Sequence, residues 1–229
     1  MGQSQTKQVK QPTQEVKQTT QEVKQTTQKD GKLRFAVAGE SGAGKSAFIN
    51  AIRGLKDDDD GAARVDVLET TMEPTEYQHP ENPMISFVDL PGYGTPNNPD
   101  LPTYWKNAGL DDYDIFLIIT PTRFRQNDFD LAKKIHSTGK SFFVIRTKID
   151  FIKWEIRKRS FNEEKTWMKI REDCMENVKG LISSENEIFL ISNYDPHKWD
   201  FPRLHGAIIN ALPGHQRECL SRRKTWSLR

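Results

Sequence analysis

The run GESGAGKS, from Gly39 to Ser46, matches G-x-x-x-x-G-K-[ST] at every fixed position. Residues of these types at this spacing bind phosphate. Glycines let successive backbone N–H groups wrap phosphate oxygens, and the N-terminus of a following helix adds partial positive charge. Gly39, Glu40, Ser41, Gly42, Ala43 and Gly44 would form the cradle. Lys45 would reach the β- and γ-phosphates, as the catalytic cation, and Ser46 would offer its hydroxyl to Mg²⁺. A glycine-rich turn with no ligand is the plain alternative. The flanking sequence argues against it: LRFAVAG, residues 33 to 39, alternates like a strand, and Phe48, Ile49, Ile52 and Leu55 recur at helical spacing.

A phosphate loop does not choose a base, but three later stations do. Asp89-Leu90-Pro91-Gly92 follows the apolar run MISFVD. An Asp at the end of a buried strand can hold Mg²⁺ through water, and Gly92 can offer its N–H to a γ-phosphate. FFVIRTKID ends in Thr147-Lys148-Ile149-Asp150, the [NT]-K-x-D pattern that reads guanine in GTPases. The Asp150 carboxylate can accept from guanine N1 and N2, a donor pair that adenine lacks. The stem of Lys148 would lie over the base. IFLISN then ends in Ser192-Asn193, where a backbone N–H would meet guanine O6. Each station stands at the C-terminal end of an expected strand, where α/β folds bind ligands.

The elements that must position these residues follow from periodicity. Strands are expected at 33–38, 84–89, 114–120, 141–146 and 187–192. Helices are expected at 45–55, 127–138, 161–182 and 201–211, with a short one carrying Tyr104 and Trp105. DIFLIIT, residues 114 to 120, is a continuous apolar run, as for a strand covered on both faces. Strands alternating with helices give an α/β fold with a mainly parallel sheet. The acidic run Asp57 to Asp60 reads as a solvated loop. The five histidines show no metal-ligand spacing and are expected at the surface or behind the site.

The strings GESGAGKSAFINAIRGL, ETTMEPTEYQHPENPMISFVDLPGYGT, TRFRQNDFDLAKKI, FFVIRTKID and IFLISNYDPHKWDFPRL resemble the immunity-related, interferon-inducible GTPases over residues 33 to 213. Lys45 places the resemblance in the group with Lys before the Ser. It implies a P-loop NTPase of the Ras-like G-domain type, with a six-stranded sheet and helices on both faces. It also implies GTP/GDP and Mg²⁺ as ligands, GTP hydrolysis, and action in cell-autonomous innate immunity through nucleotide-dependent self-association. Members normally continue into a C-terminal helical domain, so the chain resembles a truncated or short form. The family's Thr-Gly pair in the first switch is replaced by Val65 and Asp66, while Thr70 and Thr71 remain to approach Mg²⁺. The glutamine that positions water in Ras-like enzymes is replaced by Tyr93, so a slow monomer is expected. Glu69 is the candidate switch residue for catalysis in an associated state. The alternative is a catalytically weak GTP/GDP-binding module that pairs with full-length relatives.

Length and composition set the remaining bounds. The chain has 229 residues, a net charge of +2 and two cysteines. That fits one G domain (31–213) with tails, gives no charge argument for nucleic acid, and suits a reduced, cytoplasmic setting. No apolar run of about 18 residues marks a membrane span. Residues 1–30 are a Gln/Thr/Lys-rich arm of three seven-residue units with one valine each, too little apolar surface to offset ordering. Its start, Met1-Gly2-Gln3-Ser4-Gln5-Thr6, fits the N-myristoylation pattern on Gly2. A single acyl chain binds membranes only marginally. Peripheral association with the endoplasmic reticulum, Golgi or vacuolar membrane is the resulting expectation. The basic stretch Lys153 to Arg159 is read as a solvated face, with a membrane or partner contact as the minority view, and 214–229 as a basic tail.

Overall fold

The computed structural model describes residues 32–66, 71–152 and 161–212. Gly2 and the N-terminal arm, Glu69, Thr70, the basic stretch 153–159 and the tail from 213 lie outside the described residues.

Six strands form one sheet: β1 (Leu33–Gly39), β2 (Thr75–His79), β3 (Asn82–Asp89), β4 (Ile115–Thr120), β5 (Ser141–Arg146) and β6 (Ile188–Leu190), in the order β2-β3-β1-β4-β5-β6. All neighbours are parallel except β2, which runs antiparallel to β3 at the edge. The described helices are α1 (Lys45–Ile52), α2 (Leu101–Asn107), α3 (Gln126–Ser137), α4 (Glu163–Asn177) and α5 (Phe201–Ala211). The expected α/β architecture, with its mainly parallel six-stranded sheet, is therefore the observed one.

Strand alternation explains why both faces are covered. Leu33, Phe35 and Val37 of β1 point to one side, where they pack with Phe48, Ile49 and Ile52 of α1 and Phe201, Leu204 and Ile208 of α5. Ala36 and Ala38 point to the other, against Tyr104 of α2, Leu131 and Ile135 of α3 and Cys174 of α4. Each fully buried Phe of this kind stabilises the fold by roughly 2–3 kcal/mol. The small Ala36 and Ala38 let the second helical layer approach β1 closely.

Some boundaries differ from expectation. The edge strand β2 was not located by periodicity, because TEYQH is polar and only His79 in it is buried. Helix α1 stops at Ile52 rather than 55, where Arg53 caps it and Gly54 turns at φ +70°. Helix α4 stops at Asn177 rather than 182, followed by Gly180 at φ +78°. His79 and His205 are buried rather than at the surface. Burial lowers the pKa of both, that of His79 to about 4, with His205 and Arg53 adding to the shift at His79. Among the described residues no helix is long and apolar enough to cross a membrane.

Candidate nucleotide-binding site

The phosphate loop leaves the end of β1 where Gly39 lies beside Ile119 of β4. A Cβ on Gly39 would sit 2.4 Å from the carbonyl oxygen of Ile119, so only glycine fits there. Gly44, at φ +89°, precedes α1, and no side chain caps that helix. Its first N–H groups are therefore available to an anion. Lys45 is buried, and its Nζ donates to the carbonyls of Gly39 (3.1 Å) and Glu40 (3.0 Å), which folds its stem along the loop.

Asp89 ends β3 directly beside β1, in register with Val37. Its Oδ2 accepts from Ser46 Oγ at 2.6 Å and from Thr71 Oγ1 at 3.1 Å. Burial raises its pKa, opposed by the Ser46 hydrogen bond, the Lys45 charge and the Thr71 hydrogen bond. Its Oδ1 is buried with no hydrogen-bond partner among the described residues. One carboxylate with a spare oxygen and two hydroxyls is a hard-oxygen donor set. It fits Mg²⁺, which uses one or two protein oxygens and completes its shell with water and phosphate. Ser46, Thr71 and Asp89 are thus brought together.

The base-reading stations grip the phosphate loop from the other side. Thr147 Oγ1 donates to the carbonyl of Ala43 (2.9 Å), Lys148 Nζ to that of Gly42 (3.1 Å), and Asn193 Nδ2 to that of Gly44 (3.0 Å). Lys148 adopts φ +58° to make the turn. A cavity of about 960 Å³ opens beside them, lined by Ser41, Gly42, Gly44, Lys45, Ser46, Thr71 and Gly92 and by Lys148, Asp150 and Asn193. Ser192 is buried, with its Oγ accepting from the Tyr194 N–H at 3.3 Å. The phosphate cradle and the Asp150 carboxylate therefore line one cavity, as a nucleotide requires.

Tyr93 does not face this space. It is 6% exposed, and its hydroxyl donates to Asp128 Oδ1 on α3. The other carboxylate oxygen accepts from the Arg125 backbone N–H at 2.8 Å, and the Arg125 guanidinium pairs with Glu40 at 2.7 Å. Tyr93 thus ties the second switch to α3 and to the phosphate loop. Sequence reading missed this network, along with Phe151 and Tyr194 on the cavity wall. The available signal was adjacency: Phe151 follows Asp150, and Tyr194 follows Asn193.

Comparison with known proteins agrees with this geometry. The family model described as "Interferon-inducible GTPase (IIGP)" matches residues 3–223. The mouse T-cell-specific guanine nucleotide triphosphate-binding protein 2 is 42% identical over 193 residues, covering 82% of this chain and 46% of that protein. The mouse interferon-inducible GTPase 1 is 40% identical over 188 residues, covering 81% and 45%. The chain spans about half the length of the curated relatives it matches. Among solved structures, Era in complex with MgGDPNP and a 16S ribosomal RNA segment aligns with TM-score 0.56 at 20% identity, over 79% of this chain and 56% of that one. At that identity the likeness speaks for the fold.

Proposed function

Because the chain belongs to the interferon-inducible GTPase family, we propose that it binds GTP and GDP and hydrolyses GTP, slowly as a monomer, in cell-autonomous immune defence at intracellular membranes. The observation that carries this reading is the convergence of Lys45, Ser46, Asp89, Asp150 and Asn193 on one site spanning a phosphate cradle and a guanine-reading carboxylate. In the reaction, water attacks the γ-phosphorus and the bond to the β–γ bridging oxygen breaks. Lys45 stabilises charge on the phosphate oxygens, and the α1 N-terminus holds the β-phosphate. Asp89, Ser46 and Thr71 would hold Mg²⁺, which when bound neutralises charge across the β- and γ-phosphates. Asp150 selects guanine by accepting its N1 and N2 donors.

The position that would orient water is occupied by Tyr93, turned away and bonded to Asp128. Hydrolysis therefore depends on a group supplied from elsewhere. Nucleotide-dependent pairing with a second copy or a longer relative is the proposed source, with Glu69 as the switch residue involved. The same inward Tyr93 favours a second reading, a GTP/GDP-binding module with negligible turnover that acts by pairing. Single-turnover GTP hydrolysis measured against protein concentration separates them. A rate that climbs with concentration and vanishes in Lys45→Ala supports the enzyme. A negligible rate at every concentration supports the module. Myristoylation of Gly2 is the proposed membrane link, resting on the M-G-x-x-x-[ST] pattern. Gly2→Ala is expected to shift the protein to the soluble fraction of cells, and mass spectrometry of the N-terminus reads the modification directly.

A further inference from the structure

Most of the segment after Tyr93 faces solvent: Gly94, Pro96 and Asn97 are exposed. Asn98 breaks the pattern at 5% exposure. A buried amide must find partners, and Asn98 engages all four of its polar groups. Its backbone N–H donates to the Thr95 carbonyl (2.9 Å), and its own carbonyl accepts from the Gly94 N–H (3.0 Å). Its Nδ2 donates to the Gly92 carbonyl at 3.4 Å, and its Oδ1 accepts from Asn107 Nδ2 on α2 at 3.4 Å. Thr95 Oγ1 donates to the same Gly92 carbonyl at 3.2 Å. The turn thus folds back on Gly92 and is fastened to α2.

The chain on either side of Gly92 is fixed as well. The Leu90 N–H donates to the Val37 carbonyl at 3.2 Å, and Pro91 has a ring-locked φ. Tyr93 is bridged to Glu40 through its backbone and bonded to Asp128 through its phenol. Gly92 itself is buried and lines the cavity with Lys45, Ser46 and Thr71. Glycine has more backbone freedom to lose than any other residue. Here contacts within the protein itself remove that freedom. Where a second switch is loose, the γ-phosphate must order it, and part of the binding free energy goes into that ordering.

We propose that Asn98 is a positioning residue for the γ-phosphate: through the Gly92 carbonyl it holds the Gly92 N–H in place before GTP binds, and so sets the affinity for the triphosphate relative to the diphosphate. This rests on the guanine-nucleotide reading above. The second switch is then a preformed wall of the site rather than a segment that orders on binding. A neutral hydrogen bond such as the one from Asn98 corresponds to roughly 2- to 13-fold in affinity.

The test compares GDP with GDPNP, both in the presence of Mg²⁺. Asn98→Ala is expected to lower the ratio of GDPNP to GDP affinity by roughly 2- to 13-fold, with the whole change in GDPNP. A ratio within about 1.5-fold of the parent's would overturn the inference and make Asn98 a support of the fold alone. A second measurement uses the parent protein and does not depend on the variant folding. Hydrogen exchange at the Gly94 and Asn98 amides is expected to be equally slow with GDP and with GDPNP. Protection that appears only with GDPNP would overturn the inference, because the segment would then be ordered by the γ-phosphate. Parent protein with no measurable affinity for either nucleotide would instead bring down the nucleotide reading itself, and the inference with it.

Discussion

Replacing Tyr93 by Phe removes one hydroxyl and should expose how tightly the second switch is tied down. In the parent, the phenol donates to Asp128 Oδ1 on a carboxylate that is buried against α3. The Tyr93 pKa is raised well above its ordinary value, by burial first and then by Asp128, so it remains a donor at every practical pH. In Tyr93→Phe the Asp128 carboxylate keeps only the Arg125 backbone N–H on its other oxygen. A buried charged acceptor that loses its donor costs about 2 kcal/mol. For a domain of this size that is roughly 4–8 °C in melting temperature. The loss should depend on pH in a defined direction. Asp128 already has a folded pKa above the ordinary 3.8, because burial outweighs the Tyr93 and Arg125 hydrogen bonds that lower it. Removing Tyr93 raises it further. A raised carboxyl pKa contributes stability below the unfolded value and loses it as pH rises through the folded value. The difference between parent and variant should therefore be large at pH 8 and smaller at pH 4, close to the ordinary carboxyl value. Urea and thermal unfolding of both proteins at these two pH values, at equal saturating GDP, gives the numbers. A difference below about 0.5 kcal/mol, or one that is the same at both pH values, would refute the argument that this hydrogen bond anchors the switch.

Three further outcomes are expected. Gly39→Ala places a Cβ 2.4 Å from the Ile119 carbonyl oxygen, backbone against backbone. It should destabilise by about 1–3 kcal/mol or more and weaken GDP binding, read by melting curves and titration. Asp150→Asn should erode the preference for GTP over ATP and gain affinity for xanthine nucleotides in competition binding, because the amide can donate to the oxygen that xanthine carries at C2. His79 has a folded pKa of about 4 against an ordinary 6.5, so the unfolded chain binds more protons between those values. Stability is intact above pH 6.5 and should fall by up to about 3 kcal/mol as pH drops to 4. His79→Leu should flatten that slope in urea titrations, apart from a residual part from His205, whose pKa is also lowered.

The phosphate loop and the base-reading carboxylate were legible in sequence because each is encoded locally. Gly39 to Ser46 carries its own turn geometry, and Asp89, Asp150 and Asn193 each close or follow a short apolar run that reads as a buried strand. What was not legible depends on partners distant along the chain. β2 forms because the polar edge segment Thr75–His79 has β3 to pair with, a fact that TEYQH does not contain. His79 and His205 are ordinary polar residues until tertiary packing buries them. The inward turn of Tyr93 depends on Asp128, which lies on α3 beyond α2 and β4. The premature end of α4, by contrast, had a signal in Gly180 that an apolar continuation through Leu181 and Ile182 masked.

Three of the side-chain bonds that hold the phosphate loop come from residues 104, 106 and 149 positions further along the chain. The loop is thus among the first parts to be made and among the last to be braced. During synthesis at about 5–20 residues per second, roughly 7–30 s separate the emergence of Gly44 from that of Asn193. Through that interval the β1–α1 segment has its glycines and its lysine but not the struts from Thr147, Lys148 and Asn193. Nascent chains should therefore acquire tight nucleotide binding in one late step, when β6, which leads into Ser192-Asn193, docks onto β5, and not gradually as the sheet grows.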